Sequence, residues 1–278
     1  MIVTLEIKDN RPKALIKKLK AVLKPCEINA KIKKQNRISV LQLTYKLFRG
    51  SPDMKKLSPF LRGCGETIVC NNCSNAELSP YKRFSSSEFA QAMMLSFIRE
   101  LLSRTDCSLQ KLRLAYCDPM GEYPDTAEAL LEYCQELTVV TNMPRFYETV
   151  SERILRESGG TLIVSNTVDA LRDCDIVICS EAPDIHFPLS PDAIVFSAKK
   201  PLVSLSNTVI YDYRTAVPYK YQRLRPDYID EFSFLSALYS IEGVSSLARL
   251  VPSAAADGED IYTAERLASR LSTISRSA

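Results

Sequence analysis

From Asp118 to Asp125 the chain reads Asp-Pro-Met-Gly-Glu-Tyr-Pro-Asp, directly after an apolar run and directly before a helical pattern. In that setting a glycine-rich turn and the N–H groups of a helix start hold a phosphate. On the Gly-x-Gly-x-x-Gly spacing, with the following helix and strand as rulers, the three glycine positions fall on Pro119, Gly121 and Pro124. Only Gly121 conforms. Proline holds φ near −65° and carries no N–H, so Pro119 cannot take a left-handed turn, whereas Pro124 suits the first position of a helix. Asp118, Glu122 and Asp125 place negative charge where a pyrophosphate would lie, and like charges a few ångströms apart repel by about 1 kcal/mol even in bulk water. Asp125 is expected to satisfy its own helix start instead. Carboxylates at this place also suit Mg²⁺ or sugar hydroxyls.

Other chemistry-bearing residues are few. After the next apolar run stands Thr141-Asn142-Met143-Pro144-Arg145, where an acidic residue would bind a ribose 2′-hydroxyl and an arginine a 2′-phosphate. No acid is present, so NAD recognition is unsupported, while Asn142 and Arg145 fit an NADP-like phosphate contact. Glu181 and the only histidine, His186, follow a later apolar run; His186, two residues from Asp184, is a candidate acid or base, although a single loop histidine is more often structural or solvated. Cys64-x5-Cys70-x2-Cys73 contains one metal knuckle. Zinc needs four ligands, so Cys26 or Cys107 would have to complete the set, and plain thiols are the expectation there.

The elements that must position these residues alternate regularly. Leu112–Cys117, Leu137–Thr141, Thr161–Val164 and Asp175–Cys179 read as buried parallel strands, since strands covered on both faces are continuous apolar runs. Helical patterns from Thr126 to Tyr133, Phe146 to Glu157 and Thr167 to Cys174 separate them, and Ala193–Phe196 and Thr208–Tyr211 are further strand candidates. Ser-Ser-Ser-Glu at 85 to 88 opens a helix reaching Ser103, with Phe89, Met93, Met94, Phe97, Ile98 and Leu101 on one face. A second long helix is expected from Glu231 to Leu250, packed across the sheet or onto the first, then a loop at Ser253–Gly258 and a terminal helix from Ile261 to Leu271.

This succession resembles the C-terminal NAD(P)-binding domain of the shikimate dehydrogenase and glutamyl-tRNA reductase group. Leu137-Thr-Val-Val-Thr-Asn142 is similar to that group's second strand with its Val-x-Val-x-Asn-Arg ending. Val168 to Asp175 is similar to its acidic helix and Ala-Asp step, and Asp175-Ile-Val-Ile-Cys179 to its Asp-Ile-Val-Ile-Asn strand. The resemblance implies an α/β protein with a Rossmann-like doubly wound parallel sheet, behind a smaller N-terminal α/β domain that supplies the substrate site. It also implies a catalytic pair, a lysine following a proline and an aspartate in Asn-Thr-Asp-Gly. Ser79-Pro80-Tyr81-Lys82 echoes the lysine element, but Asn-Thr-Asp-Gly does not occur, which deprives Lys82 of its partner. The nucleophilic cysteine of glutamyl-tRNA reductases would have to be Cys64, Cys70 or Cys73, which lack that family's surrounding motif.

Charge divides the chain. Residues 1 to 63 hold 16 Lys and Arg against 4 Asp and Glu, inside a chain whose net charge is only +3. The basic part reads as strand Ile2–Ile7, helix Pro12–Leu23, strand Arg37–Phe48 and a short helix Asp53–Leu61. Lys13, Lys17, Lys20 and Lys24 share one face of the first helix, suited to an acidic protein surface or a nucleic-acid backbone. A length of 278 residues with 46% hydrophobic content fits two domains. The expected division is a basic N-terminal α/β domain (1–84), a linking helix (85–110), a Rossmann-like domain (111–252) and a C-terminal loop and helix (253–278). No apolar run reaches the ~20 residues of a membrane span, and the first residues lack a secretory pattern. With nine cysteines, several in core positions, a cytoplasmic protein with free thiols is expected.

The reading these residues favour is a binding or regulatory module of small-molecule or protein partners, without standard dinucleotide binding and without a favoured cofactor. The alternative is an NADP-dependent oxidoreductase using Gly121, Asn142, Arg145 and Glu181, with Lys82 and His186 as candidate catalytic groups. A second alternative is nucleic-acid association through the basic N-terminal unit.

Overall fold

The computed structural model describes residues 1–12, 22–105, 112–157 and 159–277. The expected helix at Pro12–Leu23, with Lys13, Lys17 and Lys20, lies almost wholly outside them, as does Cys107. Among the described residues no helix is long and apolar enough to cross a membrane.

Two compact units form, each from two stretches of chain: unit 1 is Met1–Phe89 with Ala216–Ala248, and unit 2 is Ala90–Thr215 with Arg249–Ala278. Residues 111–252, expected as one Rossmann-like domain, contribute to both units. The helix expected from Glu231 to Leu250 ends at Ser240 and is followed by a 3-10 turn at Ser245–Arg249. The break is Gly243, at φ +64, a left-handed conformation that no helix interior adopts.

Unit 2 contains a six-stranded sheet built from β6 (Leu114–Cys117), β7 (Glu136–Val140), β8 (Thr161–Ser165), β9 (Ile176–Cys179), β10 (Ile194–Ser197) and β11 (Thr208–Ile210). Its order is β11-β10-β9-β6-β7-β8, with every pairing parallel. Numbered within the sheet this is 3-2-1-4-5-6, the order of a Rossmann fold. The expected fold class therefore stands. Both faces are covered at its centre, where β6, β9 and β10 are buried at every position. Ala115, Cys117, Leu171, Val177 and Val195 form the core on one face. On the other runs α1 (Glu88–Ser103), whose Phe97 ring lies 6.3 Å from that of Phe196. The crossover helices α2 (Pro124–Leu130) and α3 (Arg145–Glu157) pack on each other and beside β7 and β8. A small antiparallel sheet joins β12 (Asp212–Arg214), β13 (Ala254–Ala256) and β14 (Ile261–Tyr262), so the expected loop at Ser253–Gly258 contains a strand. α5 (Ala264–Ser277) ends the chain.

Unit 1 carries a three-stranded sheet, β1-β3-β2, of β1 (Ile2–Asp9), β2 (Cys26–Gln35) and β3 (Ile38–Leu47). β1 and β3 are parallel, and β2 is an antiparallel edge turned by Asn36 at φ +55. On the other side Val69 pairs with β1, carrying β4 (Thr67–Ile68) and its partner β5 (Lys82–Arg83). α4 (Glu231–Ser240) reaches back to the start of the linking helix, as expected: the rings of Phe232 and Tyr239 stand 5.3 and 5.7 Å from Phe89.

Candidate functional site

In an open parallel sheet, ligands sit beyond the carboxyl ends of the strands where the order reverses. Here that point lies between β6 and β9, and a cleft of about 450 Å³ opens there. Cys117 and Cys179, opposite each other in register, form its floor. Hydrogen bonding to Cys117 and complete burial hold the Cys179 thiol well above the usual thiol range, so it is no thiolate nucleophile at neutral pH. Met120, Val168, Ile185 and Phe187 make apolar walls. Asn142 and Asn166, after β7 and β8, present side-chain amides with no hydrogen-bond partner among the described residues. Glu181 lines the cleft too, but its carboxylate is paired with Lys199 Nζ at 2.5 Å.

The turn after β6 is turned inward. Cys117 and Pro119 face the cleft, while Asp118 between them is 1% exposed. Its carboxylate accepts hydrogen bonds from Tyr147 Oη at 2.6 Å, Tyr123 N–H at 2.9 Å and Ser180 Oγ at 3.3 Å. Its carbonyl accepts the Gly121 N–H at 3.1 Å. A buried carboxylate with three donors is a satisfied group. Burial, the hydrogen bond to Asp118 and its charge all push the Tyr147 hydroxyl far above the normal tyrosine range, and burial with the same charge does so for Tyr116. Both phenols stay protonated.

This corrects the picture of three carboxylates facing a ligand. Asp118 organises the turn from beneath, and Asp125, expected to cap α2, instead points outward with its side chain 92% exposed, 3.8 Å from Arg153. The N-cap of α2 is Tyr123, with no side-chain cap, and Pro124 takes the first helical position as expected. Gly121 is buried at φ +66, and a Cβ there would stand 2.6 Å from Phe146 Cδ2 and 3.0 Å from Met143 Cβ. Its lack of a side chain serves the packing of the turn against the start of α3, and Gly121 does not line the cleft.

The remaining candidates scatter. Arg145 and His186 are exposed and line no part of the cleft, and His186 has no hydrogen-bond partner among the described residues. Lys82 is exposed on β5 in unit 1. Of the three cysteines, Cys70 and Cys73 come together while Cys64 turns to the carbonyls of Phe60 and Arg62. Among the described residues no three metal-ligating side chains gather. Sequence reasoning missed Asn166 and Phe187, although the rule that ligands lie past the strand ends points at Asn166 directly after β8. It also missed Tyr147 and Ser180, whose tie to Asp118 leaves no local signal.

No protein-family profile matches the chain, and no curated protein does. Solved structures similar to it include dehydrogenases and reductases. The Δ(1)-pyrroline-2-carboxylate reductase of Thermococcus litoralis, in complex with NADH and L-proline, is 10% identical over 66% of this chain, at a TM-score of 0.30. This chain spans only 61% of that reductase. The L-tryptophan dehydrogenase of Nostoc punctiforme is 13% identical over 99% of this chain and 81% of its own, at a TM-score of 0.36. The 5-ketofructose reductase of a Gluconobacter species is 10% identical over 98% of both chains, at a TM-score of 0.33. None of the three is a shikimate dehydrogenase or a glutamyl-tRNA reductase. The fold assignment rests on the strand order.

Proposed function

We propose that the protein is a small-molecule-binding or regulatory module whose ligand seats in the switch-point cleft without a pyrophosphate on the β6–α2 turn. The observation that carries this reading is how the turn spends its N–H groups. From 119 to 125, Pro119 and Pro124 have none, and those of Gly121 and Tyr123 are bound by Asp118. The three that remain belong to Met120 and to two carboxylate residues, Glu122 and Asp125. A diphosphate needs several convergent backbone donors at an uncrowded helix start, and α2 has only seven residues.

The cleft favours a ligand of different chemistry. Apolar walls with two amides unpaired among the described residues suit a flat, uncharged molecule of nucleoside size, and Asp184 at the rim disfavours an anion. A thermal-shift series with adenosine, NAD and NADP tests this, since a ligand of the native state raises the melting temperature by mass action. Adenosine is expected to raise it, with the shift lost in Asn142→Ala, and the two dinucleotides to add nothing beyond it. A larger shift with NAD or NADP than with adenosine overturns the reading.

One observation favours a second reading, an NADP-dependent oxidoreductase: the 3-2-1-4-5-6 order is that of dinucleotide-binding sheets, and Asn142 lines the cleft with Arg145 three residues on. Under it NADP alone raises the melting temperature, and Arg145→Glu abolishes the effect.

A further inference from the structure

Unit 1 holds a pair of side chains that the cleft does not use. Val69, the residue after β4, is fixed to β1 by its N–H to Val3 at 2.8 Å and by Leu5 N–H to its carbonyl at 3.1 Å. Cys70 therefore leaves the sheet at a set place. Four residues on, Ser74 opens the short helix Asn75–Leu78 with a reciprocal capping box, Ser74 N–H to Glu77 Oε2 at 2.7 Å and Glu77 N–H to Ser74 Oγ at 3.3 Å. Cys73 is thus anchored from the other side. The turn between them, Asn71-Asn72, brings the two Sγ atoms into a hydrogen bond at 2.6 Å, within the reach that a disulfide requires. Both residues are buried, at 5% and 3% exposure, in the unit 1 core with Leu5, Ile68 and Leu78. Among the described residues no third metal ligand joins them, and Cys64 is engaged elsewhere.

We propose that Cys70-Asn71-Asn72-Cys73 is a reversible dithiol–disulfide site, oxidised by a peroxide and restored by thiols. The two sulfurs are unequal in the way such a site needs. The hydrogen bond with Cys73 lowers the Cys70 thiol below the usual thiol range, with the Arg83 charge assisting. The same contact and burial push Cys73 far up. Cys70 is the attacking thiolate and Cys73 the resolving thiol. Burial selects a small oxidant. The Cys70 thiolate attacks one peroxide oxygen, the O–O bond breaks, and the leaving hydroxide takes up the proton that Cys70 released, giving water and a Cys70 sulfenic acid. Cys73 then gives up its proton and attacks Cys70 Sγ. The S–O bond breaks, hydroxide leaves as a second water, and the S–S bond forms. Two thiols lose two electrons and one peroxide becomes two waters. In return, an external thiolate attacks one sulfur of the bond, the other leaves as a thiolate and is protonated, and a second external thiolate releases the first as a disulfide.

The test uses the reduced full-length protein with hydrogen peroxide, followed by alkylation and peptide mass mapping. The expected result is a Cys70–Cys73 disulfide formed at least about tenfold faster than oxidation of Cys134 or Cys174, whose thiols burial raises to about 11. Dithiothreitol should return both thiols. In Cys73→Ser, Cys70 should instead be trapped as a dimedone adduct of its sulfenic acid. Should that variant fail to fold, mapping of the unmodified protein decides alone. The proposal is overturned if Cys70 and Cys73 remain thiols at a peroxide dose that oxidises the other cysteines. It is overturned equally if the purified protein carries one equivalent of zinc that alkylation of this pair releases.

Discussion

The sheets of the two units solve the same problem of burying a strand in opposite ways. β6, β9 and β10 of unit 2 are buried at every position, whereas β2 of unit 1 is buried at none and carries Lys31, Lys33 and Lys34. A sheet covered on both faces leaves a polar side chain no water, so each must find a partner within the protein. Asp118, Ser180 and Ser197, at the carboxyl ends of those three strands, all do. An edge strand open to solvent has the reverse task of repelling other chains, and lysines perform it. The polar groups that unit 2 must satisfy internally therefore gather at the strand ends that border the cleft.

That contrast breaks most readily at Asp118. Asp118→Ala strands the Tyr147 and Ser180 hydroxyls and the Tyr123 N–H in the core, and urea unfolding should show a loss of about 3 kcal/mol. A loss below about 1 kcal/mol would mean that water reaches the turn and that the strand end is not sealed. Next comes Gly121→Ala, which sets a Cβ against Phe146 in a left-handed conformation and should cost about 2 kcal/mol. Part of it should return in the double variant with Phe146→Ala, and strict additivity would show that packing is not the cause. Tyr147→Phe removes one of the three donors to Asp118 and should cost about 1 kcal/mol by thermal or urea unfolding. The smallest effect belongs to unit 1. Hydrogen bonds from Lys24, Asn29 and Lys46 lower the Glu27 carboxyl to about 2. A folded-state value below the unfolded one contributes stability above the ordinary carboxylate range and loses it as pH falls toward about 2. Glu27→Gln should flatten the stability profile between those limits and leave it unchanged at neutral pH in slope.

How legible these features are in the sequence follows the same divide. Doubly covered strands read as continuous apolar runs, so the strands ending at Cys117, Val140 and Cys179 and the helices between them are placed within a few residues, and the parallel order follows. β2 is hidden because Cys-Glu-Ile-Asn-Ala-Lys-Ile-Lys-Lys-Gln has no buried position to mark it, and its turn uses Asn36-Arg37 without a glycine. β13 is three alanines, poor strand formers held by β12 and β14 on either side. At the site, Asn142 and Glu181 are found at the cleft by the strand-end rule. The direction of Asp118 is not, because its side-chain partners lie 29 and 62 residues away and a local reading sees only three carboxylates within eight residues.

The route of the chain has a consequence for how the protein is made. Unit 1 begins with Met1–Phe89 and is completed by Ala216–Ala248, so its first part leaves the ribosome with open positions. Thr4 waits for the Tyr228 hydroxyl, Asn71 for the Tyr228 carbonyl, Gln42 for the Leu224 carbonyl, and Phe89 for the rings of Phe232 and Tyr239. At about 5–20 residues per second, translating the intervening stretch takes on the order of 10 s. During that interval a nascent half-unit exposes the face that α4 later covers. An edge strand carrying Lys31, Lys33 and Lys34 disfavours pairing with another chain during that interval.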